Sequence, residues 1–270
     1  MLHALRWFFV RGAVLAALAS LPGCDAPPAA SEPFNDAAIA ALGAFDDEEA
    51  SVLITAFEQL EVEVAASLDL GGGIAARSLT PSRLSEADVG GLEHPSRDPA
   101  LTLPVALAWM SPAALVEHDP LALLVDQVGV EPFASVYVRT FSEGGSCYPA
   151  DCEFLRSRNE MTKENIEMTV SLVLMKDWRA FDLSDGRAAR ASRGWMEAGA
   201  DSSNNDDRIE QSFAIELWTE QTDGSTLRLL VLWAETTFES PKEDDLVVLT
   251  TRIGMDALFH EHDDWIEANR

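Results

Sequence analysis

Cys147 and Cys152 stand five residues apart in the run Cys147-Tyr148-Pro149-Ala150-Asp151-Cys152. The spacing is not the CxxC of a redox pair, so the choice is between a disulfide closing a short loop and two free thiols. In an exported chain the disulfide is expected, because that compartment is oxidising. The run His260-Glu261-His262-Asp263-Asp264 offers a different chemistry. On a helix His260 and Asp264 share a side, as do Asp256 and His260, which is a weak candidate divalent-metal set. His262 points about 160° away from His260 and falls in the apolar stripe between Phe259 and Trp265. HExxH is absent. The alternative is an acidic solvated face with one half-buried histidine near a cavity, and this is the reading taken here, so no metal is expected.

Other candidates point to structure. The run 201–207 (DSSNNDD) resembles a calcium loop in composition, but it lacks the Gly and the distal Glu in register and reads as a hairpin loop. Gly71-Gly72-Gly73 follows no strand, so it ends a helix rather than cradling a dinucleotide. No GxSxG, GxxxxGK[ST] or SxxK is found, and His94 and His118 suggest no nucleophile partner. No catalytic residue is named and no cofactor is expected, although carboxylates that meet only in the fold would leave no such motif. Trp109, Trp178, Trp195, Trp218 and Trp233 are read mainly as core. Trp218 shares its face with Glu216 and Glu220, so it either covers a helix or forms a contact surface.

The elements that must position these residues begin after an address. Residues 1–23 carry Arg6 and Arg11, no acid, and a short apolar stretch, which is the layout of a secretory signal. The stretch is too short and broken for a spanning helix. It ends in Leu21-Pro22-Gly23-Cys24, which resembles the bacterial lipobox. The resemblance implies cleavage before Cys24 and acylation of Cys24, whose chains would anchor the protein to a membrane. The alternative is a plain signal peptide with a chance cysteine. Asp25 after the cysteine resembles an inner-membrane retention signal of enteric bacteria, but other lineages differ, and the choice of inner or outer membrane stays open. Residues 24–33 read as a Pro/Ala/Ser tether.

Composition narrows the partners. The 270 residues carry 46 acids against 19 Lys and Arg, a formal net charge of -27. A nucleic-acid partner is excluded as the default, because phosphate binding needs a basic face. Arg outnumbers Lys 16 to 3, which reads as coding bias rather than function.

Residues 34–100 read as helices followed by a linker. A short Ala-rich helix is capped by Asn35 or Asp36. A second helix carries the stripe Leu53, Phe57, Leu60 and Val64, with acids 46–49 in its first turn. Residues 77–99 read as linker with at most one helical turn. From 101 the pattern changes. Strands are expected at 101–110, 133–141, 166–175, 211–220, 226–238 and 243–253, with shorter ones at 178–183 and 191–197. A helix is expected at 113–128, an irregular excursion at 144–158, a turn at Thr222-Asp223-Gly224-Ser225, and a closing helix at 254–269 with Leu258, Phe259, His262, Trp265 and Ile266 on one face. Strand 226–238 is apolar on both faces and needs a cover on both sides.

The fold class is therefore α+β: N-terminal helices, then an antiparallel meander packed on a long C-terminal helix. The element order of residues 101–270 resembles START-like helix-grip domains, which implies an apolar cavity between sheet and C-terminal helix. A small β-barrel is the alternative. Phe259, His262, Trp265 and Trp233 are the ligand-cavity candidates. Two functions follow. The first is a non-enzymatic envelope lipoprotein, in the periplasm or at the cell surface, holding an apolar small molecule or lipid. The second is a structural lipoprotein docking an unidentified envelope partner through its acidic surface or N-terminal helices.

Overall fold

The computed structural model describes residues 28–45, 50–65, 76–164, 168–240 and 242–270. The expectations for the signal at 1–23, for Cys24 and the start of the tether, for acids 46–49 and for Gly71 to Gly73 lie outside those residues. Helix α1 spans Glu32–Gly43. Its cap is Ser31 rather than Asn35 or Asp36: the Ser31 hydroxyl accepts from the Phe34 amide at 3.2 Å, and Pro33 occupies the first turn, where a missing N–H costs nothing. Helix α2 spans Ser51–Ala65 and buries Leu53, Phe57, Leu60 and Val64, the stripe set by its 4, 3, 4 spacing.

The strands are β1 (Ala76–Leu79), β2 (Leu103–Ser111), β3 (Ala134–Glu143), β4 (Phe154–Glu164), β5 (Thr169–Asp182), β6 (Ala188–Trp195), β7 (Ala200–Asp201), β8 (Arg208–Glu220) and β9 (Thr226–Thr237). Helix α3 (Leu115–Leu123) follows β2, and α4 (Asp244–Asn269) follows β9. All nine strands form one antiparallel sheet in the order β1-β2-β9-β8-β6-β5-β4-β3, with β7 paired to β8. The first long strand therefore pairs with the last. The sheet is open, with β1 and β3 at its two ends, so the fold is the α+β meander with a C-terminal helix and not a barrel.

Strand β9 shows why both faces must be covered. Leu227, Leu229, Val231 and Trp233 pack with Phe213, Ile215 and Leu217 of β8 against α1 and α2. On the opposite face Leu230 and Leu232 join Val105, Leu107 and Trp109 of β2 against Met255 and Phe259 of α4. Helices α1 and α2, with Leu79, Leu84 and Val89, thus share a core with the sheet. The tie is also ionic: Arg187 donates to both carboxylate oxygens of Glu61 on α2, each at 2.7 Å. Helix α4 lies mainly along β2.

Several boundaries differ from the sequence reading. Residues 244–253 are the first turns of α4, not a strand. Val247 and Val248 favour extended backbone, but Asp244 and Asp245 sit at the helix start, where acids stabilise the dipole, and apolar contacts along β2 complete the helix. The helix after β2 is short, Leu115–Leu123. Residues 154–158, read as part of an excursion, begin β4. Its inward positions include Ser157 and Asn159, which hide the alternation. Residues 178–182 continue β5, and β1 arises within the expected linker. The turn at Gly224 forms as expected: its φ is +85°, a conformation that suits glycine.

Candidate functional site

A cavity of about 30 Å³ lies between the sheet and α4. Strand periodicity sets its walls. Alternate residues point the same way, so Tyr137 and Arg139 of β3, Lys176 and Trp178 of β5, and Glu216 and Trp218 of β8 all face α4. Leu258 and His262 of α4 close it from above, and Leu121, Gln127 and Glu131 close one side.

Glu216 is the centre of a buried charge network. It accepts from Lys176 Nζ at 3.2 Å, from Arg228 Nη2 at 3.2 Å and from Trp218 Nε1 at 2.7 Å. Burial alone would raise its pKa, but Lys176 and Arg228 hold the carboxyl down to about 2. Arg228 also donates to His262 Nδ1 at 2.7 Å. Its guanidinium lies 4.3 Å from the Phe259 ring centre and 5.4 Å from that of Trp218. Burial and the nearby Arg228 keep His262 well below the usual histidine range, so it is neutral and accepts. Lys176 stands 4.2 Å over the Trp178 ring, and burial together with Arg139 lowers its pKa.

A second polar cluster ties α4 to β2. Asp263 accepts from Trp109 Nε1 at 2.8 Å and from Ser111 Oγ at 2.6 Å. His118 Nε2 is 3.9 Å from Asp263, and His118 Nδ1 donates to the Ala114 carbonyl at 3.1 Å. Burial and Arg228 push His118 down to about 3. Ser111 Oγ donates to the Asp263 carboxylate and accepts from the Ala113 amide at 3.2 Å. Glu216 already has three donors, and His262 Nδ1 is occupied by Arg228.

The sequence-derived candidates separate in space. His262 lines the cavity. Phe259 is fully buried behind it, against Trp109 and Arg228. Trp265 is half-buried beside the cluster containing Trp178 and Trp218. Trp233 belongs to the other face of the sheet, where its Nε1 donates to the Ser82 carbonyl at 2.9 Å, so it is not brought to the cavity. Trp218 is core, covered by α3 and α4. His260 lies on the surface with its ring against Trp109, and Asp264 is exposed. Among the described residues no group of three His, Cys, Asp or Glu could hold a metal ion. Cys147 and Cys152 are joined, with Cα atoms 5.4 Å apart, in the loop between β3 and β4.

Sequence reasoning missed Tyr137, Arg139, Lys176 and Arg228. One signal was present: Arg228 interrupts the apolar run of β9 on the face that α4 covers.

No family model and no curated protein matches the chain. Among solved structures, a STAR-related lipid transfer protein fragment from Xanthomonas axonopodis is 7% identical, with 73% of this chain and 95% of that one covered and a TM-score of 0.45. A START superfamily protein from Mycobacterium smegmatis is 8% identical, with 62% and 99% covered and a TM-score of 0.42. Human StAR-related lipid transfer protein 5 is 9% identical, with 82% and 97% covered and a TM-score of 0.41.

Proposed function

We propose that this chain is a lipid-anchored envelope protein that binds a small amphiphilic molecule in the cavity beneath α4. The observation that carries the reading is the cavity's mixed lining. Leu121, Trp178, Trp218 and Leu258 offer apolar wall, and Lys176, Glu216 and His262 offer polar groups. A space of about 30 Å³ holds one or two waters. A ligand larger than that needs the lining residues to move apart. Native mass spectrometry of the protein purified from its own envelope tests this. A co-purifying small molecule supports the reading, and its absence from every preparation opposes it.

The anchor rests on Leu21-Pro22-Gly23-Cys24. Ala29 forms a β-bridge with Thr80, five residues after Cys24, so an acylated Cys24 would hold the domain within about 18 Å of its bilayer. Among the described residues no helix is long and apolar enough to cross a membrane. Cys24→Ser should move the protein to the soluble fraction, and retention in the membrane fraction would refute the anchor.

A second reading, a docking lipoprotein, is favoured by one observation. Val125, Val128, Phe133, Val136 and Val138 are exposed together at the β3 end of the sheet. Helices α1 and α2 bury their apolar faces on the sheet and do not offer them to a partner.

A further inference from the structure

The cavity's charged lining, taken together with the charged groups bonded to it or beside it, carries a surplus of positive charge inside a strongly acidic chain. Arg139, Lys163, Lys176 and Arg228 are the cations around it. Glu131, Glu216 and Asp263 are the carboxylates, with Glu131 paired to Lys163. Four cations against three carboxylates leave one charge over. The nearby Arg190 and Asp119 cancel each other.

Donor capacity is also left over. A lysine ammonium has three N–H groups, and among the described residues Lys176 spends one, on Glu216. Arg139 is anchored through Nε to Asn159 and through Nη1 to the Leu121 and Ala122 carbonyls at the end of α3. Its Nη2 reaches only the Tyr137 hydroxyl, at 3.5 Å. That hydroxyl in turn reaches Asn159 at 3.4 Å. Both contacts lie at the far limit of hydrogen bonding. Lys176, Arg139 and Tyr137 all line the same cavity.

We propose that Lys176, Arg139 and Tyr137 bind the carboxylate of the ligand, which is a carboxylic acid with an aliphatic or aromatic body. This deepens the reading of the cavity as the binding site and rests on it. A carboxylate accepts up to about four hydrogen bonds and carries the single charge that balances the surplus. A phosphate monoester brings a charge of roughly -1.5 to -2, more than the surplus. The apolar walls then take the body of the acid.

The test uses the mature full-length chain with octanoate, octanol and octyl phosphate, read by tryptophan fluorescence and calorimetry. Octanoate should bind about tenfold or more tighter than octanol, the scale of charge-assisted hydrogen bonds. Tyr137→Phe, which removes a donor without unpairing a charge, should reduce the octanoate-to-octanol preference. The double variant Lys176→Met with Glu216→Gln removes the ammonium together with one carboxylate, leaves the net charge of the cluster unchanged, and should abolish the preference. Equal affinity of wild type for octanoate and octanol overturns the carboxylate site while leaving the cavity as the binding site. Tighter octyl phosphate than octanoate also overturns it. Binding of neither octanoate nor octanol overturns the cavity reading itself.

Discussion

The guanidinium of Arg228 lies 4.3 Å from the ring centre of Phe259, so a fully buried cation of β9 is stacked on the fully buried aromatic of α4. The contact joins the closing helix to the charge network that surrounds the cavity, because the same Arg228 holds Glu216 and His262. Packing and electrostatics are therefore coupled at one side chain.

Phe259→Ala should cost about 3–5 kcal/mol, the usual range for truncating a buried aromatic. The change removes the partner of Trp109 and uncovers Arg228. Glu261→Ala, on the exposed side of the same helix, should change stability by less than about 0.5 kcal/mol. Urea unfolding of both variants checks the pair, and equal midpoints would refute the packing of α4 on the sheet.

Glu216→Ala leaves Lys176 and Arg228 without their shared counter-charge. Breaking a buried pair from one side costs about 3–5 kcal/mol. Adding Lys176→Met to Glu216→Ala should recover part of that loss. A double variant no more stable than the single one would show that the pairing does not govern this site.

Acid should destabilise the protein, with the sign fixed by three buried groups. His118 falls from 6.5 to about 3 in the fold, and His262 also lies well below 6.5. The unfolded chain therefore binds more protons than the folded one as soon as pH drops below about 6.5, and stability falls from there toward pH 3. Glu216, lowered from 4.5 to about 2, adds a loss that begins near pH 4.5 and continues downward. Each group contributes at most about 1.4 kcal/mol per pH unit. Unfolding free energies measured between pH 7 and 4 should decline, and His118→Gln should flatten the decline. A flat profile in the wild type would contradict the neutral, buried histidines.

Non-reducing mass analysis of the protein should find Cys147 and Cys152 linked. The closed loop is short, so reduction should lower stability by only about 2 kcal/mol on the chain-entropy account. Alkylation of both thiols without prior reduction would rule out the bond.

Much of the architecture is legible in the pattern of residues, because burial imposes a period on each element. The 4, 3, 4 spacing of Leu53, Phe57, Leu60 and Val64 settles both α2 and its buried face. The two-sided apolar run of β9 demands cover above and below, and the fold supplies α4 on one side and α1 with α2 on the other. The pattern fails where polar residues occupy inward positions, as Ser157 and Asn159 do in β4. It fails again at Val247 and Val248, where local strand preference yields to helix packing along β2.

The sequence alone determined that this is an acidic chain and that an antiparallel sheet must be closed by an amphipathic helix. Those features are local, carried by composition and by spacings within one element. Which residues meet beneath α4 was decided only by the tertiary structure. Glu216 and Lys176 are forty positions apart, and His262 lies thirty-four from Arg228. Strand order and the register of β5, β6 and β8 bring them together, and these depend on pairings between segments that no single stretch encodes. The same register separated Trp233 from Phe259, because alternate residues of a strand face opposite sides of its sheet.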